Sequence, residues 1–114
     1  RQGREAAEEW LRLTERPTAV FCSCDEAAFG FIAALRRKEI RVPEDVSVVG
    51  FDDIPLADHY CPALTTVRQP HRELGTTAVR MLLERIRDVE ASIPNQLLEG
   101  KLIVRDSTGH PPIT

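Results

Sequence analysis

Two short, almost wholly apolar runs with one helical pattern between them constrain this chain more than any other feature. The first is Thr18-Ala19-Val20-Phe21-Cys22 and the second is Val46-Ser47-Val48-Val49-Gly50-Phe51. Runs this apolar suit strands of a parallel sheet covered on both faces, rather than the alternating pattern of a half-solvated antiparallel sheet. Between them, Ala28, Phe29, Ile32, Ala33 and Leu35 recur at helical spacing, and Arg36-Arg37-Lys38 place cations where the helix C-terminus favours them. Asp25 is a natural N-cap for that helix, with Glu26 in its first turn. Strand, helix and strand within about thirty residues form a βαβ unit with a right-handed crossover. The fold class that follows is α/β with a parallel sheet.

The flanks extend the pattern. Glu5 to Leu13 reads as an amphipathic helix through Ala6, Ala7, Trp10 and Leu11, stopped by Arg16-Pro17. A proline-bearing loop runs from Ile54 to Pro62 and leads to an extended segment, Leu64-Thr65-Thr66-Val67. Pro70 opens the longest helix, where its missing N–H does no harm. The apolar stripe of that helix is Leu74, Ala78, Met81, Leu82, Ile86 and Val89, and Pro94-Asn95 ends the element. Two short strands are expected near Leu97-Leu98 and Leu102-Ile103-Val104, ahead of a polar, proline-rich tail.

Charge and cysteine content exclude several classes. The net charge is −3 and the basic residues are scattered, so no stripe of Lys and Arg is present to neutralise phosphates. Apolar runs such as Val46–Phe51 are far too short to span a bilayer. Three cysteines, Cys22, Cys24 and Cys61, are an odd number, which argues against a disulfide framework and favours a reducing cytoplasm. Cys22 and Cys24 fall on one face of a strand, but no second Cys/His pair has the spacing of a zinc site, so no metal is expected. The chain opens abruptly at Arg1-Gln2-Gly3-Arg4, close to a helical pattern, and reads as a piece of something longer.

In open parallel sheets, ligands bind beyond the carboxyl ends of the strands. Cys24-Asp25 follows the first strand and Asp52-Asp53 follows the second. A carboxylate there can accept hydrogen bonds from neighbouring hydroxyls of a sugar or nucleoside. Two readings stand for each acid: Asp25 as a helix cap or a ligand contact, and Asp52 as a turn carboxylate or a ligand contact. Catalysis has no support. The adjacent Asp52 and Asp53 side chains diverge rather than flank a bond, no nucleophile motif or phosphate loop is present, and His59, His71 and His110 sit in loops or at a helix start.

Residues 16–108 resemble the C-terminal part of the lactose-repressor/galactose-repressor (LacI/GalR) family of bacterial transcription regulators. The resemblance is carried by Arg16-Pro17-Thr18-Ala19-Val20-Phe21, Asp25-Glu26-Ala27-Ala28-Phe29-Gly30, Val42 through Asp53 (VPEDVSVVGFDD), Pro62 through Pro70 (PALTTVRQP), Gly75, Ala78, and Leu102 through Thr108 (LIVRDST). It implies a lobe similar to periplasmic sugar-binding proteins, part of a two-lobed domain that closes on a small-molecule effector. DNA would then be bound only by a separate N-terminal head. Asp52 matches the family aspartate that bonds effector hydroxyls. Cys24 stands where many members carry a ligand-contacting Asn; a thiol cannot copy an amide's donor and acceptor pair, so the effector differs or Cys24 only lines the pocket.

Homodimer contacts implied by the resemblance are Phe29, Ile32, Ala33, His59 and Tyr60, although Phe29 and Ile32 can equally serve their own core. The resemblance also divides the chain. Residues 1–63 and about 101–109 belong to the C-terminal lobe, Leu64, Thr65, Thr66, Val67, Arg68 and Gln69 form an inter-lobe hinge, and residues 70–98 belong to the other lobe. The expected protein is a cytoplasmic, ligand-responsive transcriptional repressor that senses a sugar or other hydroxyl-rich small molecule and has no cofactor. The rival is a periplasmic sugar-binding protein of a transporter, disfavoured by the unpaired cysteines and the LTTVRQP block. With the long helix uncovered, the isolated chain is expected to dimerise or to swap that helix.

Overall fold

The computed structural model describes residues 1–113. The chain divides into two compact units, residues 1–68 with 102–114, and residues 69–101. The first unit holds helix α1 (Gln2–Arg12), strand β1 (Ala19–Phe21), helix α2 (Asp25–Arg36), strand β2 (Ser47–Val49), the short helix α3 (Leu56–His59) and strand β3 (Thr66–Arg68). The second holds helix α4 (His71–Arg87), and strand β4 (Lys101–Ile103) begins at its edge.

The βαβ reading holds. β1 and β2 pair in parallel with Ala19 opposite Ser47, Val20 opposite Val48 and Phe21 opposite Val49. On the other side of β2, Val49 bridges Thr65 and Asp52 bridges Arg68, both in parallel sense. The core consists of Ala7 and Trp10 from α1, Cys22 after β1, Ala28, Phe29, Phe31, Ile32 and Leu35 from α2, and Val46, Val48, Ala57 and Leu64. α1 lies close on α2: a Cβ added at Gly3 would overlap the backbone at Ala27 and come within 2.6 Å of the Phe31 nitrogen. Glycine is therefore required there. Trp10 packs edge-on against Phe31 at 6.4 Å, and its indole N–H donates to the Pro17 carbonyl at 3.1 Å, which pins the turn that follows the helix.

Four expectations fail. β1 is not covered on both faces: Ala19 and Phe21, which share one face of the strand, are exposed, Phe21 to 68%, while Val20 on the other face is half-buried. The loop after Asp53 contains a helical turn, α3, where the prolines led us to expect none. No strand forms at Leu97-Leu98. Leu97 is 96% exposed, and only Lys101–Ile103 finds a partner, β3. Val89 lies beyond the end of α4 at Arg87 and so outside the helical stripe.

The closing segment stitches the sheet together. Ser107, wholly buried, donates its hydroxyl to the Val48 carbonyl at 2.6 Å and accepts the Thr65 N–H at 2.8 Å. Its own carbonyl accepts the Val48 N–H at 2.9 Å. One small hydroxyl thus satisfies backbone groups of two neighbouring strands that water cannot reach. Leu64, Thr65 and Thr66 are buried within this unit. Of the expected hinge residues, Thr66, Val67 and Arg68 form β3, and Gln69 falls in the second unit.

Candidate effector site

Two segments lie at the carboxyl ends of β1 and β2. The first is Cys22-Ser23-Cys24-Asp25. Cys24 is the extended residue before α2, with φ −157° and ψ 165°, and it is half-buried beside a cavity of about 240 Å³ that Arg1, Gln2, Gly3, Glu26 and Ala27 also line. Cys22 is buried, and that burial, with the neighbouring Cys24 adding to it, pushes its thiol up to about 11. It is an inert core thiol. Among the described residues, no three of His, Cys, Asp and Glu converge on a metal position.

Asp25 is neither of the things expected. It is the first residue of α2 rather than its cap, and it is 0% exposed. Its carboxyl accepts the Ile54 N–H at 2.8 Å on one oxygen and the Thr66 hydroxyl at 2.5 Å on the other, while its own N–H donates to the Phe51 carbonyl at 3.0 Å. A ligand cannot reach it. Asp25 instead locks the start of α2 to the loop after β2 and to β3, engaging both carboxyl oxygens inside the protein. Gly50 exists to admit it: a Cβ there would collide with the Asp25 carboxyl and come within 2.8 Å of the Leu64 side chain.

The second segment is Asp52-Asp53, two consecutive non-glycine residues at positive φ, +118° and +56°. Each such residue costs on the order of 1–3 kcal/mol unless the surroundings hold it. They do. The Asp52 N–H donates to the Val67 carbonyl at 2.9 Å. The Asp53 side chain, 8% exposed, meets Arg68 Nε at 2.7 Å and an Arg105 guanidinium nitrogen at 2.8 Å. Burial alone would raise the Asp53 carboxyl, but hydrogen bonds and charge from Arg105 and Arg68 outweigh it and hold the group below the usual carboxylate range. Arg105 also donates to the Leu64 carbonyl at 3.0 Å and lies 3.5 Å from Asp58. Asp52 itself is half-buried at the turn.

Sequence places Asp52 and Cys24 at the strand ends but gives no sign of the contacts around them, those of Asp53 with Arg68 and Arg105 and of Thr66 with Asp25. The signal available was that Arg105 directly follows the apolar run Leu102-Ile103-Val104, where a charge needs a reason.

The residues named for a dimer surface divide. Phe29 and Ile32 are 8% and 2% exposed and belong to the core of their own unit, so they are not a free contact surface. Tyr60 stacks on Phe29 with ring centres 4.6 Å apart and donates its hydroxyl to the Phe29 carbonyl at 3.4 Å, while the Arg36 guanidinium lies 5.9 Å above the Tyr60 ring. Ala33 is half-buried and His59 exposed. Arg36 also donates to the Cys61 carbonyl. A separate cavity of about 490 Å³ lies beside them, at the end of α2 remote from Cys24, lined by Ile32, Ile40, Val42 and Pro62 among others.

A parallel α/β unit with polar residues gathered at its strand ends defines a class, and comparison with known proteins agrees: residues 1–108 match the periplasmic binding protein-like domain, and the chain belongs to that family. It is 51% identical over 102 residues to the HTH-type transcriptional repressor PurR of Vibrio cholerae, covering 90% of this chain and 30% of that protein. Among solved structures it is similar to a LacI family transcriptional regulator from Enterococcus faecalis with bound ribose (36% identity, TM-score 0.82, 98% of this chain and 40% of that one). It is equally similar to the lac repressor dimer bound to operator and the anti-inducer ONPF (37% identity, TM-score 0.82, 93% and 37%). The chain spans about 30% of the length of the curated relative.

Proposed function

We propose that this chain is the effector-sensing part of a ligand-responsive, DNA-binding transcriptional repressor, with Asp52 as the main effector contact and Cys24 beside it. The observation that carries the reading is the Asp52-Asp53 turn. A doubly strained, tightly braced acid pair sits where parallel sheets bind ligands. Strain held in place by ion pairs suits a residue whose presentation matters more than local stability. The effector class is a hydroxyl-rich small molecule, since a carboxylate accepts paired hydroxyl donors; the ribose-bound relative supports this. DNA contact belongs to a separate head, because this chain carries no basic stripe. The repressor relatives and three unpaired cysteines support a cytoplasmic setting, a homodimer, an inter-lobe passage through residues 64–69, and a role without catalysis.

The test is titration of the complete protein with D-ribose and related pentoses, read as a change in operator binding and by calorimetry. Asp52→Ala is expected to lower effector affinity at least tenfold, the cost of orphaning charged hydrogen bonds, with the fold intact. Unchanged affinity in that variant removes Asp52 from the site. Failure of the complete protein to bind DNA favours a transport receptor.

A further inference from the structure

Asp53 joins groups that are far apart in sequence. Its two carboxyl oxygens are divided between Arg68 and Arg105. Arg68 is the last residue of the first unit before the chain passes into the second, and Arg105 follows the return at Leu102 by three residues. Arg105 is only 12% exposed, and Asp53, Asp58 and the Leu64 carbonyl are its partners. The charged groups around Asp53 are therefore Arg68 from β3, Arg105 from the segment after β4, Asp58 of α3 through Arg105, and the adjoining Asp52. The Asp52 N–H bond to Val67 holds one side of the turn, and the ion pairs of Asp53 hold the other.

We propose that Asp53 is a positioning residue: its carboxylate clasps Arg68 and Arg105, fixes the left-handed backbone that presents Asp52, and couples that turn to the segments by which the chain leaves and re-enters this unit. The regulatory meaning rests on the reading of Asp52 as an effector contact. A ligand that moves Asp52 would move Asp53, and with it the two arginines at the chain crossings. The clasp itself requires no ligand to be tested.

The experiment is amide hydrogen exchange at neutral pH on the whole chain, comparing the Asp52 amide (bonded to Val67) with the Val48 amide (bonded to Ser107). Arg68 is half exposed, so Arg68→Gln removes one arm of the clasp without leaving a buried charge alone, and Asp53→Asn removes both arms. The Asp52 amide is expected to exchange about tenfold faster in Arg68→Gln, and faster still in Asp53→Asn, with the Val48 amide unchanged in Arg68→Gln; this pattern is local opening rather than global unfolding. Should Asp53→Asn fail to fold, Arg68→Gln carries the result alone. Unchanged exchange at Asp52, or an equal rise at Asp52 and Val48, overturns the clasp. A clasp confirmed in a protein whose Asp52→Ala variant responds normally to effector would refute the effector reading and leave the clasp standing.

Discussion

α2 and α4 each carry an apolar face, and the structure treats the two in opposite ways. α2 buries Asp25, Ala28, Phe29, Phe31, Ile32 and Leu35 within twelve residues. α4, with seventeen, buries none. Val79, Leu82, Leu83 and Ile86 recur at helical spacing on it, and are 56%, 59%, 44% and 66% exposed. An amphipathic pattern fixes which face seeks cover, but it does not supply the cover. For α2 the covering groups are in the chain: α1, β2 and Leu64. For α4 they are not among the described residues.

The largest effect that would sharpen this contrast is a core truncation. Leu35 is 0% exposed, and Leu35→Ala should cost about 2–5 kcal/mol as lost burial plus an imperfectly closed cavity. Denaturant unfolding followed by circular dichroism reads it as a lowered midpoint with an unchanged slope. A loss below about 1 kcal/mol would mean that α2 is far less firmly packed than its burial indicates.

Next is Asp25, whose role is polar and equally internal. Asp25→Ala leaves the Ile54 N–H and the Thr66 hydroxyl without their acceptor. Each orphaned buried group costs about 1–3 kcal/mol, and Ile54 is only half-buried, so a loss in the lower part of the summed range, about 2–4 kcal/mol, is expected in the same assay. Asp25→Asn, which keeps an acceptor of similar shape, should lose less. Equal losses would show that a single acceptor oxygen does not suffice there and that both are needed.

These two residues also mark how much could be read from sequence. Leu35 was legible, since helical spacing and strand composition are local properties, and the βαβ core followed from them. The candidate site was placed by topology alone, since parallel sheets bind ligands at their strand ends. Asp25 was misread because an acid at a helix start has an ordinary local explanation, and only the fold brings Thr66 and Ile54 to it. Arg105 and Ser107 were missed for the same reason: their partners lie forty or more residues away. The Leu97-Leu98 strand failed because two apolar residues do not make a strand without an edge to pair with.

Acid should act on the first unit through Asp53. Its folded carboxyl titrates below the ordinary value of about 3.9. The ion pairs therefore contribute stability that is fully present above that ordinary value and is lost as pH falls through the folded one. Unfolding midpoints measured from pH 7 downward should fall below about pH 4, and Asp53→Asn should flatten part of that fall. An identical acid limb in the variant would show that other carboxyls govern it.

The smallest stability effect is expected on α4, and it bears most directly on the contrast. Leu82→Ala removes a side chain that is 59% exposed and should change stability by no more than about 0.5 kcal/mol. The same face is a contiguous apolar surface, so it should act between molecules instead. Sedimentation of the isolated chain at micromolar concentration should show a dimer, and Leu82→Glu with Ile86→Glu should return it to a monomer, because a dimer contact would force those charges out of water. If Leu82→Ala instead costs as much as Leu35→Ala in a chain that sediments as a monomer, α4 has found cover within its own molecule, and the difference between the two helices disappears.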